Sequence, residues 1–466
     1  MNNILHIFDS MTSEKRVFKP LNYNNVRVYA CGPTVYNYAH IGNARMAVVC
    51  DVLVRVLRNI YPKVTYISNI TDIDDKIIQE AKNSKVSIEE LTKKFFKIYN
   101  QDMDSIGVKR PDIQPKATEY IKQMISSITS LINNECAYVA KNHVLFDVAS
   151  YKYYGNLSKR TIDEQIAGNR IDVAPFKKNK ADFVLWKPSK LDEPSWDSPW
   201  GRGRPGWHIE CSVMSEETLG LPFDIHGGGS DLRFPHHENE IAQSCSLGKK
   251  NQKPEEFAKY WFHNGFVIVN GEKMSKSLKN FILVHELIKK FPGNVIKFAL
   301  LSSHYRQPLN WTEKTLYQSK INIKKFEKFF ESNPKFSGNQ DEFEEITLDL
   351  KKSILDDFNT PKAFSILNKL LNNTKNNKTM PVRILMANLE LVQRLLGLSF
   401  LGNKKELTDS QNLKEIEKLI NQRQKERKRK NFKKADEIRE YLEKIGIGIE
   451  DSQDETKWFR IEKDDC

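Results

Sequence analysis

An α/β architecture, with a parallel sheet assembled in two halves around an insertion and a helical region after it, follows from three features of the chain. Two strand-loop-helix successions flank a stretch rich in Pro, Trp and Gly, and beyond about Trp311 the apolar residues recur at helical spacing. Val26–Ala30, VRVYA, reads as the first buried strand. After Gly42, residues Met46, Val49, Leu53, Val56, Leu57 and Ile60 fall on one helical face. Val64 to Ile70, VTYISNI, reads as the next strand and completes a β-α-β unit, whose ligand loops belong at the strand ends. The second half is expected from Phe223 to His226 running into Gly227-Gly228-Gly229, a helix from about His236, and a strand near Phe266 to Val269. Between the halves, Pro111 to Pro205 mixes helical pattern with turn-rich sequence and reads as an insertion. Leu413 to Ile420 and Ala435 to Ile445 carry the helical pattern of the C-terminal region, while Asn372 to Lys378 and Gly402 to Glu406 read as polar loops. The expected boundaries are 1–110, 111–205, 206–270, 271–320 and 321–466.

A chain of 466 residues is long for one core, and a prior of roughly 150 residues per domain gives about three. Hydrophobic residues at 39% and charged residues at 29% are ordinary for a globular protein in water. No apolar run reaches the roughly 20 residues that span a bilayer, so no membrane association is expected. Met1 to Asp9 has neither a basic start nor a sustained apolar stretch, so no export is expected. The six cysteines, Cys31, Cys50, Cys136, Cys211, Cys245 and Cys466, form no CxxC pair, which favours a reducing, cytoplasmic setting over a disulfide framework. The net charge of +13 suggests a polyanion, yet residues 321–466 hold 29 Lys and Arg against 26 Asp and Glu. Only local clustering can carry that argument, and 421–434, NQRQKERKRKNFKK, supplies it: eight basic residues against one Glu, with Phe432 available for stacking. A solvated helix face is the alternative there.

His236 and Glu240 are four apart, so on a helix starting after Pro235 they share one face, as two ligands of one ion require. His237 lacks that partnership. Cys31, at the end of the first strand, and Cys211 supply two thiolates if the sheet halves bring them together. Such a set favours zinc, although the spacing alone leaves both cysteines open to a reading as small buried residues and His236 as a satisfied histidine. Pro33 to Asn43 leads from strand to helix, with Gly42 where backbone must approach a ligand and a helix N-terminus that favours phosphate. Lys273-Met274-Ser275-Lys276-Ser277 follows an Asn270-Gly271 turn and brings two ammonium groups that can close over a triphosphate. Taken singly, each is more often a plain turn or a solvated loop.

Together, His40-Ile-Gly-Asn43 and Lys273-Met-Ser-Lys-Ser277 resemble the HIGH and KMSKS signatures of class I aminoacyl-tRNA synthetases, in the expected order. Cys31-Gly-Pro-Thr-Val-Tyr36, Asn69-Ile-Thr-Asp-Ile-Asp-Asp-Lys76, Gly203 to Cys211 and Phe223 through Glu240 resemble the cysteine-specific family, and the likeness runs nearly end to end. The resemblance implies a Rossmann-like catalytic domain split by a connective insertion, then stem-contact and helical anticodon-binding domains, in a monomer. It implies formation of cysteinyl-adenylate from L-cysteine and ATP, with Mg2+, and transfer of cysteine to tRNA(Cys). One Zn2+ held by Cys31, Cys211, His236 and Glu240 would select the substrate thiol, which a serine hydroxyl cannot match, so that no editing site is expected. Catalysis falls to His40, Asn43, Lys273 and Lys276, and ATP binding to these with Gly42, Asp231, Met274, Ser275 and Ser277. Substrate contacts fall to Thr71, Trp207 and His226, and tRNA contacts to Arg427, Arg429, Lys430 and Trp458. One departure stands out: the family motif usually ends in histidine where this chain has Asn43, which keeps a donor but carries no charge. Two other readings share features with this one. A ligase joining cysteine to an amino sugar has the same core, and a noncatalytic zinc protein binding RNA would leave both phosphate motifs idle. His226-Gly-Gly-Gly229 also looks like a lipase oxyanion loop, but no G-x-S-x-G elbow accompanies it.

Overall fold

The computed structural model describes residues 4–159, 175–248, 251–274, 278, 280–374, 379–400, 419–427, 429, 431–444, 447–451 and 456–460. It forms two compact units, Met1–Phe400 and Leu401–Cys466. The larger opens with an antiparallel hairpin, β1 (His6–Asp9) and β2 (Glu14–Val17). Then come β3 (Val26–Ala30), α1 (Ile41–Ile60), β4 (Val64–Ser68), α2 (Asp75–Ser84), α3 (Ile88–Ser105) and α4 (Ile121–Asn133). An antiparallel sheet follows, β5 (Ala137–Ala140), β6 (His143–Phe146), β7 (Phe183–Pro188) and β8 (Gly203–Pro205). The chain returns through α5 (Trp207–Leu219), β9 (Phe223–Gly229), α6 (Glu238–Ser244) and β10 (Ala258–Asn264).

The central sheet has the order β10-β9-β3-β4 with every pairing parallel. Its strands are buried on both faces because both are covered. Val26, Val28 and Ala30 pack with α1, whereas Tyr29 and Ile67 pack with α4 and α5. The chain leaves β3 toward β4 on one side and later enters β9 and β10 on the other, so strand order reverses between β3 and β9. In such sheets a crevice opens at the C-terminal ends of these two strands.

The strand expected near Phe266 to Val269 belongs elsewhere. The parallel neighbour of β9 is β10, a strand buried along nearly its whole length, and a run such as AKYWFHN shows no alternation to reveal it. Val267–Val269 (β11) instead joins β12 (Glu272–Lys273) and β13 (Leu309–Trp311) in a small separate sheet. The expected helix at His236 also begins later: Arg233–His237 forms an irregular turn in which Phe234 is extended, and α6 starts at Glu238.

Helices α7 (Val284–Leu287), α8 (Gly293–Leu300), α9 (Glu313–Ser332), α10 (Gln340–Ile346), α11 (Leu348–Leu355), α12 (Thr360–Asn373) and α13 (Thr379–Leu396) complete the larger unit. The smaller unit holds α14 (Phe432–Lys444) and an antiparallel hairpin, β14 (Ile447–Asp451) with β15 (Thr456–Arg460). The hairpin was not expected from helical periodicity, and its short Ile-Gly-Ile and Trp-Phe runs suit strands. No helix among the described residues is long and apolar enough to cross a membrane.

Candidate active site

The crevice at the strand-order reversal is where the candidate residues meet. Cys31 is the first residue beyond β3, and its N–H extends the sheet to Gly227 O of β9 at 3.1 Å. Gly32 lets the chain turn away here, since a Cβ would stand 1.6 Å from the Asn69 carbonyl oxygen. Cys211 comes from α5, His236 from the turn before α6, and Glu240 from α6 itself. All four are buried, and their ligand atoms lie within 4.8 Å of one another. Glu240 Oε1 is 3.4 Å from Cys31 Sγ and 3.0 Å from His236 Nε2. Bonds of roughly 2.0 to 2.3 Å to a tetrahedral ion place neighbouring ligands at about 3.3 to 3.8 Å, so small side-chain shifts would seat an ion among the four.

The electrostatics fit as well. Burial pushes the Cys31 thiol and the Glu240 carboxyl well up and the His236 imidazole well down. Among the described residues no lysine or arginine bridges to Glu240; its only ion-pair neighbours are His226, His236 and His237. Glu240 Oε2 has no properly angled hydrogen bond, although His226 Nε2 lies 3.3 Å away. A divalent cation would supply the missing positive charge and favour thiolate and carboxylate forms.

A second quartet, Cys31, His226, His237 and Glu240, overlaps the first. It offers one thiolate rather than two, and His237 Nε2 lies 4.0 Å from Glu240 Oε1. His237 is held through its Nδ1, 2.8 Å from His263 Nε2, and His263 in turn meets Ser10 Oγ at 2.8 Å, so that the Nε2 of His237 faces the cluster at longer range than that of His236. His236 is held toward the cluster: Trp207 stacks on its ring at 4.2 Å, and His208 Nδ1 lies 2.9 Å from its Nδ1. Sequence reasoning set His237 aside for want of the four-residue spacing and missed His208 and His263; the only signal for these two was the density of histidines around the expected ligands.

Beside the cluster lies an open cavity of about 460 Å³ that reaches from Cys31 and Trp207 to His40, Asp231 and Lys273. His40 caps α1, its Nδ1 accepting from the N–H groups of Gly42 at 3.1 Å and Asn43 at 3.3 Å. Burial lowers its pKa, so the ring is neutral with its proton on Nε2. Asn43 returns the cap, its Oδ1 accepting from the His40 N–H at 3.1 Å. The carbonyl half of Asn43 is therefore committed to the backbone. Gly42, Asn43, Met274 and Asp231 all line the cavity. A Cβ on Gly42 would meet the His40 ring at 3.0 Å. Ser275, Lys276 and Ser277 lie outside the described residues. Thr71 and His226 are buried behind the cavity: Thr71 exchanges backbone bonds with Pro33 and Val35, and His226 packs among the cluster.

In the smaller unit, Arg427 and Arg429 are exposed, with Glu426 Oε1 3.8 Å from Arg429. Lys430 lies outside the described residues, and Trp458 is placed in β15 opposite Ile449.

Residues 17–321 match the family model described as the tRNA synthetases class I (C) catalytic domain, and 413–458 that of the cysteinyl-tRNA ligase anticodon binding domain. A cysteine–tRNA ligase of Parvibaculum lavamentivorans is 47% identical over 97% of both chains. One from Rhodospirillum rubrum is 46% identical over 97% of this chain and 99% of its own. Among solved structures, a Mycobacterium tuberculosis methionyl-tRNA synthetase with methionyl-adenylate superposes with a TM-score of 0.59 at 14% identity, covering 81% of this chain and 92% of that one. This last likeness is one of fold. The parallel sheet, the motifs at its crevice and these matches together establish that the chain belongs to the cysteinyl-tRNA synthetase family of class I aminoacyl-tRNA synthetases.

Proposed function

We propose that this chain activates L-cysteine with ATP and transfers it to the 3′-terminal adenosine of tRNA(Cys). The observation that carries the reading is the contiguity of a buried Cys31, Cys211, His236, Glu240 cluster with a cavity floored by the N-terminus of α1. In the first step a carboxylate oxygen of cysteine attacks the α-phosphorus, the bond to the bridging oxygen breaks, and pyrophosphate departs. In the second, a ribose hydroxyl of the tRNA attacks the acyl carbon and AMP leaves. Neutral His40 donates from Nε2 to a phosphoryl oxygen, the positive end of the α1 dipole lies behind it, and Lys273 brings a cation. Lys276 is assigned the matching role at the pyrophosphate. Asn43 acts chiefly by holding His40 in its donor orientation. Trp207 walls the cysteine pocket, while Thr71 and His226 support it from behind.

We assign the cluster to one Zn2+, held by Cys31, Cys211, His236 and Glu240. When bound, it supplies a site where the substrate thiol is favoured over a serine hydroxyl. Residues 111–205 are assigned as the connective insertion, 271–320 as the stem-contact region and 321–466 as the anticodon-binding part. Arg427, Arg429, Lys430 and Trp458 are its candidate tRNA contacts. The anticodon-domain match at 413–458 speaks against the amino-sugar ligase. A monomer in the cytoplasm, using Mg2+ with ATP, completes the proposal; the five described cysteines are free thiols, in keeping with that setting.

The test is transfer of labelled cysteine to total tRNA by wild type and Cys211→Ser. Charging by wild type, with loss of charging and of bound zinc in the variant, is expected. A variant that keeps both would remove Cys211 from the ligand set.

A further inference from the structure

Helix α3 carries Phe95 and Asp102 seven residues apart, two turns along one face. Between them sits a pair of rings from distant parts of the chain. Tyr38, on the loop leading to His40, meets Phe95 edge-on at 5.4 Å and stacks on His285 at 4.7 Å with the planes 28° apart. His285, in the short helix α7, places Nδ1 3.1 Å from Asp102 Oδ1. Asp102 is buried, and its other oxygen has no hydrogen bond. The circuit Phe95, Tyr38, His285, Asp102 thus begins and ends on α3.

Both strands of backbone beside this circuit reach the cavity. Ile41 N–H donates to Ile282 O at 2.9 Å, and Val284 N–H donates to Ala39 O at 2.9 Å. His40 is therefore clasped between them, with Phe281 5.5 Å from its ring. Asn280 Nδ2 donates to the Lys273 carbonyl at 3.3 Å, drawing the exit of the lysine-bearing segment toward its entrance. Tyr38, His40, Lys273 and Phe281 line the cavity, whereas His285 does not.

We propose that His285 is a positioning residue for ATP: by bridging Tyr38 to Asp102 it fixes the cavity wall and the backbone clasp that orients His40. It acts through Tyr38 and touches no substrate. The inference rests on the cavity being the ATP site.

The experiment is cysteine-dependent ATP–pyrophosphate exchange by the full chain, with KM measured for each substrate. His285→Ala is expected to raise the KM for ATP about 10-fold and leave that for cysteine within about 2-fold, because only the nucleotide end is displaced. His285→Gln, which keeps a donor for Asp102 but no ring, is expected to show the same split more weakly, and serves if the alanine variant folds poorly. Combined with Tyr38→Leu, the His285→Ala defect in ATP KM is expected not to multiply, since both break one stack. An unchanged KM for ATP, an equal rise for both substrates, or independent effects in the double variant would overturn the positioning role. His40→Ala tests the ATP site by itself: undiminished exchange in that variant would undo the premise, whereas a His40 dependence alongside a silent His285 would undo the inference alone.

Discussion

At the scale of single residues, Gly32 bears the tightest steric constraint in the crevice. Its neighbour Cys31 can enter the buried cluster only because no Cβ intrudes on the Asn69 carbonyl 1.6 Å away. Gly32→Ala must move that loop or strand β4, and either displaces the Cys31 sulfur. The expected result is a purified protein with less than one zinc per chain by metal analysis and a charging rate reduced about 100-fold, the scale of cost for a misplacement near 1 Å. Full zinc content with full activity would mean the loop yields elsewhere. The residues themselves were partly legible. Helical spacing singled out His236 with Glu240, the end of a strand offered Cys31, and the family resemblance joined them with Cys211; the structure brings the four together. Their companions His208 and His263 went unread, because a hydrogen bond between rings 28 or 26 residues apart leaves no periodic trace.

At the scale of elements, α1 is tied to the rest of the larger unit by two buried cations, Lys297 reaching in to Asp51 at 2.8 Å and Arg45 reaching out. Arg45 is fully buried, and its guanidinium donates to the carbonyls of Gly265, Phe266, His304 and Gln307 at 2.6 to 3.2 Å and to Ser303 Oγ at 3.1 Å. Burial brings its pKa down to about 10, so it stays charged at neutral pH. Arg45→Met would remove five hydrogen bonds; Gly265, Phe266 and His304 keep donors in Asn264 Nδ2, Leu309 N–H and Gln307 N–H, and the loss should destabilise the larger unit by about 3 kcal/mol in urea unfolding. A loss under about 1 kcal/mol would show that water replaces the guanidinium. Elements of mixed polarity were read well from sequence: β3, α1 and β4 lie where the periodicity put them, apart from the end of β4 at Ser68. Strand β10 escaped because Lys259, His263 and Asn264 break its apolar run and leave neither alternation nor a continuous hydrophobic stretch, and the hairpin of β14 and β15 because a helical context biased the reading of two five-residue strands.

At the scale of the molecule, activation is assigned to the larger unit and the basic run with Trp458 to the smaller one, which makes these two contributions separable by experiment. Reversing Arg427 and Arg429 to Glu should raise the KM for tRNA at least 10-fold and flatten its salt dependence, while cysteine-dependent pyrophosphate exchange remains at the wild-type rate. Equal loss of both activities would place the basic run in folding rather than recognition. The four proposed zinc ligands also have a temporal meaning. They are drawn from position 31, position 211 and the span 236–240, on both sides of the inserted antiparallel sheet. During synthesis an emerging chain cannot complete the set until residue 240 has left the ribosome and the late strands have found β3. Zinc content of a preparation is thus a tally of molecules whose two half-sheets have joined, and a chelator added during refolding should trap those that have not.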